Sequence, residues 1–179
     1  RSCKPPWPRV AFRFGPLAHR CGGTATHIPF SMQLLGERPP RCATAGASDF
    51  SAYAEALETE GVDTSGVLLC EGIGTATAFI TTDADGNQIT AFYPGAMTRA
   101  TGVDLSGLRD VSEVVVGADD AAAMALHIAQ AGVLGARLVF APAQQIPAMP
   151  DDVLLSGLEQ AWSVAGNDYE LEMIRERTG

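Results

Sequence analysis

Positive charge is scarce in this chain. Its 12 lysines and arginines face 21 aspartates and glutamates, for a formal net charge of −9. Such a surface repels phosphate backbones and anionic bilayers, so no nucleic-acid or membrane partner is expected. Long hydrophobic runs are missing too. None approaches the ~20 apolar residues that span a bilayer. The cysteines, Cys3, Cys21, Cys42 and Cys70, form no Cys-x-x-Cys pair, and no zinc site is expected. Their even count permits two disulfides, but nothing suggests secretion. Reduced, packing cysteines in a cytoplasmic protein are expected. Walker A and Gly-x-Gly-x-x-Gly strings are absent. His19, His27 and His127 are scattered without Ser-His-Asp or metal-ligand spacing. There is no internal repeat and no low-complexity tract.

What is present is globular. At 179 residues, 46% hydrophobic and 18% charged, the chain fits one domain with a sizeable core. Residues 1–21 stand apart. They contain Arg1, Lys4, Arg9, Arg13 and Arg20, no acid, and Pro5, Pro6, Pro8 and Pro16. A transit peptide would be basic and acid-poor, but prolines spoil its amphipathic helix. Foreign or out-of-frame sequence joined to a domain, or an unusual natural tail, fits this composition, and the first is expected.

From Gly22 onward, strand and helix signals alternate. Thr24–Gly36 reads as a helix with Ile28, Met32 and Leu35 on one face. Asp49 is expected to cap a helix over Phe50–Thr59. Val67–Cys70 is a short apolar strand. Thr75–Thr82 and Gln88–Tyr93 flank a polar Asp83–Asn87 turn and read as a β-hairpin. Val111–Gly117 is a strand, and Asp119–Ala131 an Ala-rich helix with acids at its start. His127 is expected at its surface or half-buried. Leu138–Ala141 is a strand, Asp151–Gln160 a helix capped by Asp151, Trp162–Ala165 a strand and Asp168–Arg177 a helix. Strands separated by helices of this length predict a mostly parallel sheet with helices on both faces. The hairpin is expected to stand apart as a flap.

Four places could carry chemistry. Gly22-Gly23 opens a helix, where a ligand can approach the backbone and the first free amides; a tight turn needs the same glycines. The hairpin aromatics either decorate an edge or cover a ligand and exclude water. Gln144-Gln145 follows a strand, and open α/β sheets bind ligands at the carboxyl ends of their strands. Two solvated glutamines would look the same. Asn167 and Glu170, three apart at a helix start, suit magnesium waters and phosphate oxygens, or a helix cap.

Gly-Gly before a helix, a β flap, Gln-Gln after a strand, then Asn-x-x-Glu: this order resembles the PfkB carbohydrate kinases. The resemblance is nearest to bacterial adenosine kinase. The strings GGTATHIPFSMQLLG, TATAFITTDADGNQITAFYPGAM, VVVGADDAAAM, APAQQI and NDYELEMIRERTG carry it over residues 22–179. It implies a ribokinase-like α/β fold with a small β lid over about residues 75–97. It also implies transfer of the ATP γ-phosphate to the 5′-hydroxyl of adenosine, with Mg2+. Gly22 and Gly23 would approach the ribose, and His27 would stand at a substrate-binding position. Phe79 would sit over the nucleoside, with Phe92 nearby or reaching toward a second subunit in a lid-paired homodimer. Gln144 and Gln145 would line the nucleoside pocket. Asn167 and Glu170 would support metal and phosphate.

The chain also departs from that pattern. The Gly-x-Gly-Asp string that supplies the family's catalytic Asp is absent. His27 stands where an Asn is usual, Pro29 falls inside a helix, and Ala141 replaces an Asp. The chain is therefore expected to be a fold incomplete at both ends: a tail, residues 1–21, and a partial kinase domain, residues 22–179. Alone it is expected to be inactive. A kinase acting on ribose or another small sugar, and a non-catalytic nucleoside-binding or degenerate fragment, are the alternatives.

Overall fold

Parallel β-ladders and the helices between them form the frame in the computed structural model, which describes residues 16–37, 39–40 and 42–179. Most of the atypical tail therefore lies outside the described residues. Helix α1 spans Thr24–Leu34, and β1, Ala43–Gly46, pairs in parallel with β2, Val67–Cys70, across α2, Ser51–Thr59. The hairpin is β3, Thr77–Thr82, antiparallel to β4, Gln88–Tyr93. A 3-10 helix, Gly95–Gly102, leads back and packs on β1 and β2. Then come β5, Glu113–Gly117; α3, Ala121–Leu134; β6, Arg137–Ala141; a 3-10 helix, Ala143–Ala148; α4, Asp151–Gln160; β7, Ala161–Val164; and α5, Asp168–Thr178. Strands β5, β6 and β7 form a three-stranded parallel sheet in that order.

The core lies where α3 and α4 cover this sheet. Alternation puts Val116, Leu138 and Phe140 inward against Met124, Ile128, Ala131, Ile146 and Leu154, all buried. Gly157 lets α4 approach closely, because a Cβ there would stand 2.6 Å from the ring of Phe140. Gly135 ends α3 in the left-handed region at φ 66°, where glycine has no Cβ penalty. Ile174 brings α5 onto the same core, and Arg177 fastens it by donating to the carbonyls of Ile146 and Met149 and to Asp151.

Three local expectations are corrected. Asp49 does not cap α2: Phe50 is the boundary residue, and the Asp49 carboxylate accepts from the Thr75 amide and hydroxyl instead. Asp151 does not cap α4: Pro150 does so by position, and Asp151 is used by Arg177. His127 is buried, its Nε2 3.2 Å from the Val103 carbonyl oxygen, which holds α3 against the loop after the first 3-10 helix.

The hairpin turn is a small polar knot. The Asp83 carboxylate accepts from the amides of Asp85 and Asn87 and from the Asn87 side chain, each at 2.9 Å. Above its root the hairpin pairs mainly with itself.

Candidate nucleoside and phosphate site

The carboxyl ends of β5, β6 and β7 share one edge, because the three strands are parallel, with one register shift between β6 and β7 at Leu138–Val139. Asp119, Gln144 and Asn167 follow those ends within three residues. The glycine pair joins the same edge: a Cβ at Gly117 would stand 2.9 Å from the Thr24 methyl, so the start of α1 lies against the end of β5. Gly23 holds φ 100°, a conformation L side chains avoid, and its carbonyl accepts from Thr26 and His27. No side chain caps α1. A Cβ at Gly22 would meet nothing within 4 Å, so the approach to this backbone is open.

Helix α2 links this corner to the hairpin. The Tyr53 hydroxyl donates to the Gly22 carbonyl at 2.5 Å and lies 2.8 Å from the Thr26 hydroxyl. Immediately before α2, Asp49 grips Thr75 at the hairpin root. The structure thus brings Gly22, Gly23 and the hairpin root to opposite ends of one short connection.

Phe79 and Phe92 point to opposite faces of the hairpin. Phe79 pairs with Ala91 and Phe92 with Ala78, and directly paired residues share a face. Both rings are exposed, at 60% and 53%. Ile89 and Tyr93 accompany Phe79, while Ile80 accompanies Phe92. One surface can close over a ligand while the other remains outward.

Gln144 is exposed and Gln145 half-buried, at the start of the second 3-10 helix, where Ala143 holds φ 45°. Neither carboxamide has a hydrogen-bond partner among the described residues, and His27 is likewise exposed and unpaired. Asn167 and Glu170 form a reciprocal capping box: the Asn167 oxygen accepts from the Glu170 amide at 2.9 Å, and Glu170 Oε2 accepts from the Asn167 amide at 3.0 Å. The Asn167 NH2 and the second Glu170 oxygen remain free among the described residues. The cap fixes both side chains at the mouth of α5, whose first-turn amides favour anions.

Asp119 was not a predicted site residue. Burial, and to a smaller degree the neighbouring Asp120 charge, raises its carboxyl above the ordinary range, against donation from the Asp120 amide and the charge interaction with His127. Its position at the end of β5 was the available signal. Among the described residues no group of three or more His, Cys, Asp or Glu could cage a metal. A concave surface between α2 and β2, lined by Phe50, Ala54, Val67 and Leu69, includes none of the predicted site residues. No helix among the described residues is long and apolar enough to cross a membrane.

Residues 10–179 match the model of the pfkB family carbohydrate kinases. A nucleoside kinase of Methanothermobacter thermautotrophicus is 40% identical over 77 residues, covering 42% of this chain and 25% of that protein. The structure of Burkholderia thailandensis nucleoside kinase in complex with inosine superposes with a TM-score of 0.89 at 31% identity, over 96% of this chain and 56% of that one. Its ADP-inosine complex gives 0.86 at 31% identity, over 96% and 54%. The nucleoside kinase of Methanocaldococcus jannaschii shares the fold, with a TM-score of 0.84 at 23% identity, over 97% and 57%. The chain thus spans little more than half the length of these solved structures.

Proposed function

This chain belongs to the pfkB carbohydrate kinase family, and from that premise we propose that it forms the nucleoside-binding part of an ATP-dependent kinase acting on the 5′-hydroxyl of adenosine. One observation carries the reading. The open glycine pair, the unpaired carboxamides of Gln144 and Gln145, and the Asn167–Glu170 cap all belong to the carboxyl edge of the parallel strands. A polar, neutral ligand with a ribose and a base edge that offers a donor beside an acceptor matches those groups. The inosine bound by the Burkholderia enzyme supports the nucleoside class.

In this reading Gly22 and Gly23 let the ribose approach the backbone, with His27 beside it. Phe79 covers the base and excludes water, and Gln144 and Gln145 face it. Asn167 and Glu170 lie on the phosphate side. A single carboxylate fits Mg2+, which keeps most of its waters and takes phosphate oxygens rather than an all-protein cage. The ion would bridge and neutralise phosphate charge. The chain's own part is to orient the acceptor and keep its pocket dry. No residue of the 179 is assigned as catalytic base, since no Gly-x-Gly-Asp string occurs. The chain alone therefore binds nucleoside without phosphorylating it.

The experiment is titration calorimetry of the purified chain with adenosine, inosine and ribose, beside a labelled-ATP transfer assay with Mg2+. Adenosine is expected to bind, ribose more weakly, and the Gln144→Ala, Gln145→Ala double variant to lose about tenfold in affinity, the effect of roughly one net hydrogen bond. Absence of any nucleoside binding overturns the reading. Phosphorylation of adenosine by the chain alone overturns the inactive half of it.

A further inference from the structure

The root of the hairpin is built more tightly than a passive connection requires. The Gly46 amide donates to Thr75 Oγ1 at 2.9 Å, and the same hydroxyl donates to Asp49 Oδ1 at 2.6 Å. One hydroxyl thus uses both its accepting and donating capacity, joining the end of β1 to the entry of β3. The Thr75 amide adds a bond to Asp49 Oδ2 at 3.0 Å. A Cβ on Gly46 would stand 2.5 Å from the Ile73 carbonyl oxygen and 2.7 Å from Asp49 Oδ1. The other strand is tied in at the same point. The Ala96 amide donates to the Gly74 carbonyl at 2.8 Å, and Gly95, at φ 48°, would clash with that oxygen if it carried a Cβ. Above these bonds the two strands contact chiefly one another, and their aromatic and aliphatic side chains are exposed.

We propose that Asp49 and Thr75 form a latch that sets the angle of the hairpin over the glycine pair, making both positioning residues for nucleoside binding. A two-stranded hairpin is marginal alone, so its orientation depends on whatever holds its base. Here that is one carboxylate, one hydroxyl and two glycines, Gly46 and Gly95, packed too closely for any other residue. Asp49 is also four residues before Tyr53, which holds Gly22. The lid root and the ribose-side backbone therefore belong to the same corner. Neither Asp49 nor Thr75 touches the ligand in this scheme; they act through Phe79. The inference rests on the functional reading for its ligand but not for its geometry.

The test compares the whole chain with Thr75→Val, Thr75→Ser and Asp49→Ala. Hydrogen exchange is read on amides in β3 and β4, with those of β5 and β6 as the internal reference, and adenosine affinity is measured in parallel. Thr75→Val keeps the shape and removes the hydroxyl. It is expected to speed hairpin exchange on the order of tenfold and to weaken adenosine binding by a similar factor, leaving the reference amides unchanged. Thr75→Ser restores both, and Asp49→Ala exceeds Thr75→Val. Hairpin exchange equal to wild type in Thr75→Val and Asp49→Ala overturns the latch, as does acceleration that Thr75→Ser fails to restore. Faster hairpin exchange in a chain that binds no nucleoside upholds the latch and overturns the functional reading instead.

Discussion

Replacing Gly157 with alanine tests the packing that supports the site. A Cβ at this position of α4 would stand 2.6, 2.7 and 2.9 Å from Cζ, Cε1 and Cε2 of Phe140. Carbon atoms rest about 3.5–4.0 Å apart, so the ring has to retreat by about 1 Å. Phe140 is fully buried among Met124, Ile128, Ile146 and Leu154, so its retreat presses on those side chains. Overpacking of this kind costs about 1–3 kcal/mol. Alanine returns about 1 kcal/mol of helix propensity. Packing wins, by about 1 kcal/mol, and thermal unfolding followed by circular dichroism should shift down by roughly 2–4 °C. The sign is expected to reverse in a Phe140→Leu background. There the ring is gone, and Gly157→Ala should raise stability by about 1 kcal/mol. A variant that melts at or above wild type, or the same sign in both backgrounds, refutes the argument.

Asn167→Ala removes one half of the capping box and should cost about 1 kcal/mol, read as a lower urea midpoint, while Asn167→Asp keeps the cap and should remain near wild type. Asp119→Asn tests the effect of burial. The native carboxyl titrates above its ordinary range, so the folded state binds the proton more tightly than the unfolded state. Stability is then lost as pH rises from the ordinary carboxylate range through the raised native value. The Asn variant escapes that loss. It should be the more stable protein at neutral pH, with the advantage shrinking to nothing in acid, and an advantage independent of pH would count against the assignment.

Much of the fold was readable because its elements are locally self-consistent. The second hairpin strand and α4 begin and end at the expected residues. Both have strong local signals: β-branched and aromatic runs beside a polar turn, and acids opening an amphipathic helix. The strand Ala43–Gly46 was missed because Ala-Thr-Ala-Gly has little intrinsic β preference; parallel pairing with Val67–Cys70 makes it a strand. Asp49 was misread for the same reason, since its partner Thr75 lies 26 residues away. His127 did carry a signal. Met124, His127, Ile128 and Ala131 share one helical stripe, and all four are buried. The glycine pair, the paired glutamines and the Asn-Glu cap were each legible as motifs. The glutamines and the Asn-Glu cap meet at one edge because the strands pair in parallel, as strand–helix alternation predicts, whereas the glycine pair joins that edge through the long-range contact of Thr24 with Gly117, which local sequence does not encode.

The knot at Asp83–Asn87 determines more than the shape of a turn. Side chains alternate along β3 and β4, so sliding one strand past the other by a single residue reverses the slipped strand's faces relative to its partner. Phe79 would then share a face with Phe92 instead of lying opposite it. Weak pairing leaves such a slip possible in a two-stranded ribbon. The Asp83 carboxylate, by holding the amides of Asp85 and Asn87 together with the Asn87 side chain, admits one register only. A residue at the far tip of the flap thereby keeps the two aromatic rings on opposite faces, and the two faces can change independently so long as that register is kept.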